Sequence, residues 1–173
     1  MTDLETRIRD VPDFPKPGVI FKDIMPLLGD AEALADAVDR IAEWAAPREP
    51  DLVLGAEARG YITGGALACK LGCGFVPARK PGKLPWHTVA AKYALEYGFD
   101  QLEVHADAIK LGQRVLVHDD VLATGGTAKA TAELVEHLGG MVVGMPFIIE
   151  LSFLNGREKL AGYDVFSLIQ YDA

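Results

Sequence analysis

The residues best equipped for chemistry stand almost side by side: Asp119 and Asp120, then Ala123-Thr124-Gly125-Gly126-Thr127. Adjacent carboxylates accept several hydrogen bonds, which suits the vicinal hydroxyls of a sugar. A small-residue loop that opens a helix presents free backbone N–H groups, and these make an anion cradle. Gly125 and Gly126 let the backbone come close, and the Thr124 and Thr127 hydroxyls add donors. An acidic pair beside a phosphate cradle fits a sugar 5-phosphate. The flanks say how the group is held. Val115-Leu116-Val117 reads as a buried strand, with the acidic pair where that strand should end. Ala128, Thr131, Leu134, Val135 and Leu138 recur at helical spacing, and Gly139-Gly140 offers a stop.

Competing phosphate motifs fit less well. A Walker loop needs Gly-x4-Gly-Lys-Ser/Thr, and Lys129 is misplaced for it. A dinucleotide fingerprint needs Gly-x-Gly-x-x-Gly without a preceding carboxylate pair. A loop that merely needs glycines and a helix cap leaves Asp119-Asp120 unexplained. The run of apolar strand, Asp-Asp, two residues, Ala-Thr-Gly-Gly-Thr resembles the phosphoribosyl-pyrophosphate (PRPP) motif of the type I phosphoribosyltransferases.

Around that stretch, 173 residues suffice for one domain with a sizeable core, and half of them are hydrophobic, which argues against disorder. A net charge of -8 and a pI near 4.9 argue against a broad nucleic-acid footprint, which needs a basic face. Residues 1 to 10 are charged and lack the apolar stretch of a secretory signal, and no run reaches membrane-spanning length. Cys69 and Cys73, with no second Cys or His pair near them, read as two reduced, partly buried thiols rather than a zinc site.

The chain otherwise reads as alternating elements. Residues 2 to 10 suggest a short helix with Leu4 and Ile8 inward. Pro12, Pro15, Pro17 and Gly18 forbid helix next, Val19 to Ile24 suggests an extended edge, and Pro26 should break it. Asp30 should cap a helix carrying Leu34, Val38, Ile41 and Ala45 on one face, and Trp44 should pack or sit at an interface. Strands are expected at Asp51 to Leu54, Gly74 to Ala78, Leu102 to His105, Met141 to Glu150 and Asp164 to Tyr171, with a helix from Tyr61 to Leu71. Residues 80 to 100 should be a long functional loop, with a weak hairpin near Tyr93 to Tyr97. Such alternation implies an α/β domain with a mainly parallel sheet flanked by helices. Ligands then sit at the strands' carboxyl ends, where Gly55 to Gly60, Arg79 onward and Asp119 to Thr127 converge.

Taken alone, Arg59 beside Glu57 would be a surface ion pair of little value. Beside a sugar-phosphate motif it reads as a pyrophosphate ligand. Arg79, Lys80 and Lys83 follow a strand end in an acidic chain that has few basic residues to spare. His118 precedes the acidic pair, but inside a buried strand it reads as a hydrogen-bonded core histidine.

Outside the central motif, Pro12 to Ile24, Gly55-Ala56-Glu57-Ala58-Arg59-Gly60, Arg79 to Pro85, Leu95-Glu96-Tyr97-Gly98 and Gly156-Arg157-Glu158-Lys159-Leu160 resemble segments of the adenine phosphoribosyltransferases. The resemblance covers nearly the whole chain. Met25 departs from it where Thr or Ser is usual, His118 where an aliphatic residue is usual, and Trp86-His87 is atypical. It implies a single phosphoribosyltransferase domain over 1–173, with a base-binding hood over 1–28 and a lid over 80–100. It implies transfer of ribose 5-phosphate from PRPP to N9 of adenine, giving AMP and pyrophosphate in purine salvage. It also implies Mg²⁺ bound with PRPP, a homodimer, a cytoplasmic location, and neither nucleic-acid nor membrane partners.

By position, the resemblance gives the 5-phosphate to Ala123, Thr124, Gly125, Gly126 and Thr127. The ribose goes to Asp119 and Asp120, which meet Mg²⁺ indirectly. Pyrophosphate goes to Glu57, Ala58, Arg59, Arg79, Lys80 and Lys83, and adenine to Ile20, Phe21, Lys22, Val121 and Leu151. Arg59 and Glu96 are the implied catalytic residues, and the Glu57–Ala58 peptide is expected to be cis. A transferase for a 6-oxopurine or another base, and a non-catalytic PRPP-sensing regulator, stay open beside this reading.

Overall fold

A computed structural model of the chain describes residues 2–94 and 99–173. Its N-terminal segment departs from the sequence expectation. Only Glu5–Arg7 turns, as a 3-10 helix, and Arg9–Pro12 (β1) is a strand rather than the end of a helix. The reason is cross-strand pairing. β1 lies antiparallel to Ile20–Asp23 (β2), and Arg9 reaches over to Asp23 at 2.5 Å. Asp13 accepts from the Gly18 N–H at 2.7 Å across the intervening turn. Pro26 does not end this segment by breaking it. It sits in the first turn of Met25–Leu28 (α1), where its missing N–H costs no hydrogen bond.

Asp30 caps Ala31–Ala45 (α2) through the N–H groups of Glu32 and Ala33 at 3.0 and 3.1 Å. Ala37, Val38, Ile41 and Ala45 form its buried face, and Trp44 stacks on Phe166 with ring centroids 5.1 Å apart. Leu52–Ala56 (β3) leads into Gly60–Leu71 (α3), and Gly74–Ala78 (β4) follows. Cys73 is half-buried, but Cys69 is exposed rather than partly buried, because it lies on the outer side of the last turn of α3.

Residues 88–94 and 99–100 are strand where a long loop is expected, and the turn of the hairpin expected near Tyr93 to Tyr97 lies outside the described residues. Thr88–Ala94 (β5) and Phe99–His105 (β6) pair antiparallel, and Val89, Leu102 and Val104 anchor the ribbon to the core. Arg114–Leu122 (β7) runs through the acidic pair instead of ending at it. Gly126–His137 (α4), Met141–Leu151 (β8) and Val165–Tyr171 (β9) complete the chain.

Five strands form one parallel sheet in the order β4-β3-β7-β8-β9. Their apolar runs are continuous because both faces are covered. Val53 and Leu116 pack with α1, α2 and α3 on one face, while Leu54, Val115 and Val117 pack with α4 and the β5–β6 ribbon on the other. The order also decides the site. β3 and β7 are neighbours in mid-sheet, so the loops leaving their carboxyl ends must meet.

Candidate active site

Four strand ends and the β1–β2 hairpin enclose a pocket of about 620 Å³. Glu57, Ala58 and Arg59 come from the end of β3, Lys80 from the end of β4, and Asp119, Asp120, Val121, Ala123 and Thr127 from β7 and its loop. Leu151 ends β8, and Ile20, Phe21 and Lys22 arrive from the hairpin. Thr124, Gly125 and Gly126 line a smaller hollow of about 70 Å³ that shares Asp119, Val121, Ala123 and Thr127 with the main pocket. The Glu57–Ala58 peptide is cis, as expected.

The loop over 123–127 is held by backbone. Gly125 sits at φ +77°, a left-handed conformation, and serves as the N-cap of α4 without a side-chain cap. Side chains are excluded there because the Gly125 and Gly156 backbones touch. A Cβ on Gly125 would overlap the Gly156 carbonyl. The first-turn N–H groups of α4 therefore face the hollow with no protein acceptor imposed on them by a cap.

The acidic pair is electrostatically tense. Burial raises the Asp119 carboxyl well above its ordinary range, and the neighbouring Asp120 charge adds to this. Its Oδ1 accepts from the Asp120 N–H at 2.9 Å. Asp120 is nearly buried, and Arg59 Nε lies 2.5 Å from its Oδ2 as an ion pair without hydrogen-bond alignment. The same guanidinium stands 5.1 Å from the Phe21 ring centroid. Arg59 thus spans the Asp120 carboxylate and the Phe21 ring.

His118 is fully buried between the two structural layers. Its Nδ1 donates to the Pro146 carbonyl at 2.9 Å, and its Nε2 accepts from the Thr63 hydroxyl at 2.7 Å. Burial pushes its pKa down to about 4, overriding the Pro146 hydrogen bond that would raise it. It is a neutral core histidine tying α3 and β8 to β7, as the strand context suggests.

The basic residues do not all reach the pocket. Arg79 and Lys83 stay outside its lining and converge on Glu57 from the rim. Lys83 Nζ pairs with Glu57 Oε1, the Lys80 N–H donates to Oε2 at 2.8 Å, and Arg79 Nε lies 3.7 Å from Oε2. Burial raises the Glu57 carboxyl, but Lys83 and the Lys80 N–H outweigh it and hold the group below its ordinary value. Lys80 Nζ pairs with Asp100, which also accepts from the Tyr93 hydroxyl at 3.0 Å. Glu96 lies outside the described residues.

Sequence reasoning missed Val19, Tyr93, Asp100 and Leu102, which also line the pocket. Tyr93, Asp100 and Leu102 arrive through the β5–β6 ribbon, and no motif marks them. It also gave no structural role to Gly156, whose contact with the loop is invisible before folding.

A family model for the phosphoribosyl transferase domain matches residues 27–161. The adenine phosphoribosyltransferase of Desulfitobacterium hafniense is 59% identical over 169 residues, covering 98% of this chain and 98% of its own. The crystal structure of adenine phosphoribosyltransferase from Thermoanaerobacter pseudethanolicus superposes with a TM-score of 0.95 at 53% identity, covering 98% of each chain. That from Saccharomyces cerevisiae, complexed with an imino-altritol bisphosphate and adenine, gives 0.90 at 40% identity over 96% of each. With a matching family model, full-length relatives and one shared fold, the chain belongs to the phosphoribosyltransferases of type I and, among them, to the adenine phosphoribosyltransferase family.

Proposed function

We propose that this pocket carries out the family reaction with the residues already placed in it. One observation carries the reading: a pocket with an apolar slot and a carboxylate pair adjoins, through Asp119, Val121, Ala123 and Thr127, the hollow of a glycine-threonine anion loop. Adenine fits between Ile20, Phe21, Val121 and Leu151, ribose hydroxyls meet Asp119 and Asp120, and the 5-phosphate meets residues 123–127. The leaving pyrophosphate then lies toward Arg59, Lys80 and the Glu57–Ala58 peptide, with Arg79 and Lys83 arriving from the rim.

The bond from ribose C1 to pyrophosphate breaks, its electron pair leaves with the phosphate oxygen, and N9 of adenine bonds to C1 while the base gives up its imidazole proton to water. Charge grows on the leaving group, so a cation there acts more strongly in the transition state than in the ground state. Arg59 serves this role once PRPP draws it from Asp120. The adjacent carboxylates suit a hard cation, and Asp120 Oδ2 has no aligned hydrogen bond of its own. Among the described residues no cluster of three or more metal-ligating side chains occurs, so Mg²⁺ would take its ligands from PRPP oxygens and water, with Asp119 and Asp120 reaching it through ribose hydroxyls or water. Bound that way, Mg²⁺ supplies charge neutralisation of the pyrophosphate.

Residues 1–28 would act as the base hood and 80–100 as a lid, a reading supported by Ile20, Phe21 and Lys22 and by Lys80, Tyr93 and Asp100 in the pocket lining. Family membership supports a homodimer in the cytoplasm. No helix among the described residues is long and apolar enough to cross a membrane.

Base choice rests on backbone. β2 pairs only with β1 among the described residues, which leaves its other edge open beside the slot. At Lys22 such an edge offers one C=O and one N–H to the N6 donor and N1 acceptor of adenine. A 6-oxopurine presents the opposite pattern and leaves both groups mismatched. Discrimination of about 10,000-fold is expected from buried mismatches of this kind. The test is kcat/KM for adenine against hypoxanthine with PRPP and Mg²⁺. Comparable values would favour the 6-oxopurine reading. No nucleotide from any base, with PRPP bound, would favour the PRPP sensor.

A further inference from the structure

Behind the anion loop stands a bracket whose side chains lie outside the pocket lining. It begins on β8, where Glu150 lies beside Leu122, the last β7 residue before the loop. Glu150 is only 4% exposed. Arg157 grips it with two parallel hydrogen bonds, Nε to Oε1 and Nη2 to Oε2, both 2.7 Å. The Arg157 Nη1 donates to the Val165 carbonyl on β9 at 3.1 Å, and the Ser167 hydroxyl donates to Glu150 Oε2 at 2.7 Å. Burial alone would raise the Glu150 carboxyl, but Arg157 and Ser167 hold it below its ordinary value, so the pair is ionised. A bidentate arginine–carboxylate pair fixes direction as well as distance.

That direction matters because the residue before Arg157 is Gly156. Its backbone packs directly on the anion loop. A Cβ added to Gly156 would overlap the Ala123 carbonyl and stand 3.1 Å from the Gly125 nitrogen. Leu160, 1% exposed, pins the other end of the same turn into the core beneath α4. The bracket therefore closes on itself: β7 to β8 by strand pairing, Glu150 to Arg157 by the ion pair, Gly156 back to the loop that leaves β7.

We propose that Arg157 is a positioning residue for the 5-phosphate loop, acting through Gly156 and held by Glu150. This rests on the proposed function, since it presumes that residues 123–127 bind the phosphate of AMP and PRPP. Backbone N–H donors bind an anion only if their directions converge, so a loop set loose by a fraction of an ångström loses affinity without losing a single ligand. Among the described residues, no bracket residue lines the pocket at the end built on β3 and β4, so pyrophosphate binding there should not respond.

The experiment is calorimetric titration of AMP, and separately of pyrophosphate with Mg²⁺, into the wild type and the variants G156A, R157A and R157K. A misplacement of about 1 Å typically costs about 100-fold, so G156A should weaken AMP on that order and R157A on the order of tenfold. R157K keeps the charge but not the fork and should fall between R157A and the wild type. Pyrophosphate affinity should stay unchanged in all three. If R157A does not fold, G156A and R157K decide the question in its place. A purely structural role predicts lower Tm with AMP binding intact, or equal weakening of both ligands, and either result overturns the proposal. Failure of the wild type itself to bind AMP overturns the function reading and this inference with it. Normal wild-type binding with unaltered variants overturns this inference alone.

Discussion

The two ends of the pocket are built on opposite principles. The loop over 123–127 is backbone, shaped by Gly125 at φ +77° against Gly156. The β3–β4 end is long side chains, and each of its cations, Arg59, Lys80, Lys83 and Arg79, lies within ion-pair distance of a carboxylate. Arg59 holds Asp120, Lys83 holds Glu57 and Lys80 holds Asp100, while Arg79 stands 3.7 Å from Glu57. On the proposed reading, a phosphate meets free backbone donors at the first end and competes with protein carboxylates for the cations at the second. The difference has a physical reason. A cluster of unpaired cations is costly to bury, whereas unsatisfied N–H groups at a helix start are tolerated next to solvent. It also suits the proposed chemistry, in which a 5-phosphate at the loop stays bound while a leaving group at the β3–β4 end is gripped and then let go.

This division can be broken by substitutions read with two ligands. The largest effect is expected at Arg59. R59A should lower kcat/KM by about 100- to 1000-fold, the usual loss for one donor facing developing charge. AMP affinity should be kept, since Arg59 competes with ribose for Asp120 rather than binding it. Near-normal kcat/KM, or an equal loss of AMP binding, would dissolve the distinction.

Glu57 gives a smaller effect of opposite sign. If its carboxylate is an internal stand-in for pyrophosphate, E57Q should tighten pyrophosphate binding by roughly threefold to tenfold, because the competent state no longer has to be won from a competitor. AMP binding should not change. Weaker pyrophosphate binding would make Glu57 a structural support of the cradle instead.

Asp119 lies between the two ends and sharpens the comparison through stability. Burial raises its carboxyl well above the ordinary value in the folded state. The unfolded chain ionises it near pH 3.9, so the fold is penalised increasingly above about that pH, up to the raised folded value. D119N removes the penalty. It should raise Tm at neutral pH by about 2 to 4 °C, the shift that about 1 kcal/mol makes in a chain of this size. The gain should vanish as the pH falls below about 3.9, where both states are protonated. A Tm that does not rise at pH 7 would show that the acidic pair is relieved in some other way.

The sequence alone determined the local pieces, because their signals are local. Continuous apolar runs mark strands covered on both faces, Asp30 marks a helix start, and Asp119-Asp120 followed by Ala-Thr-Gly-Gly-Thr marks a sugar-phosphate loop. Those features depend on neighbours a few residues away. The strand order was not legible, and it is what sets β3 beside β7 so that Arg59 can meet Asp120. Pairing across the hairpin turned residues 9 and 10 into strand where their own pattern suggested helix, since Arg9 gains Asp23 only in that register. Only the tertiary structure showed which cations are spoken for, because a carboxylate such as Asp100 comes from a ribbon twenty residues away from Lys80. It alone brought Gly156 onto Gly125, thirty-one residues apart, where two backbone segments with no side chains to spare can touch.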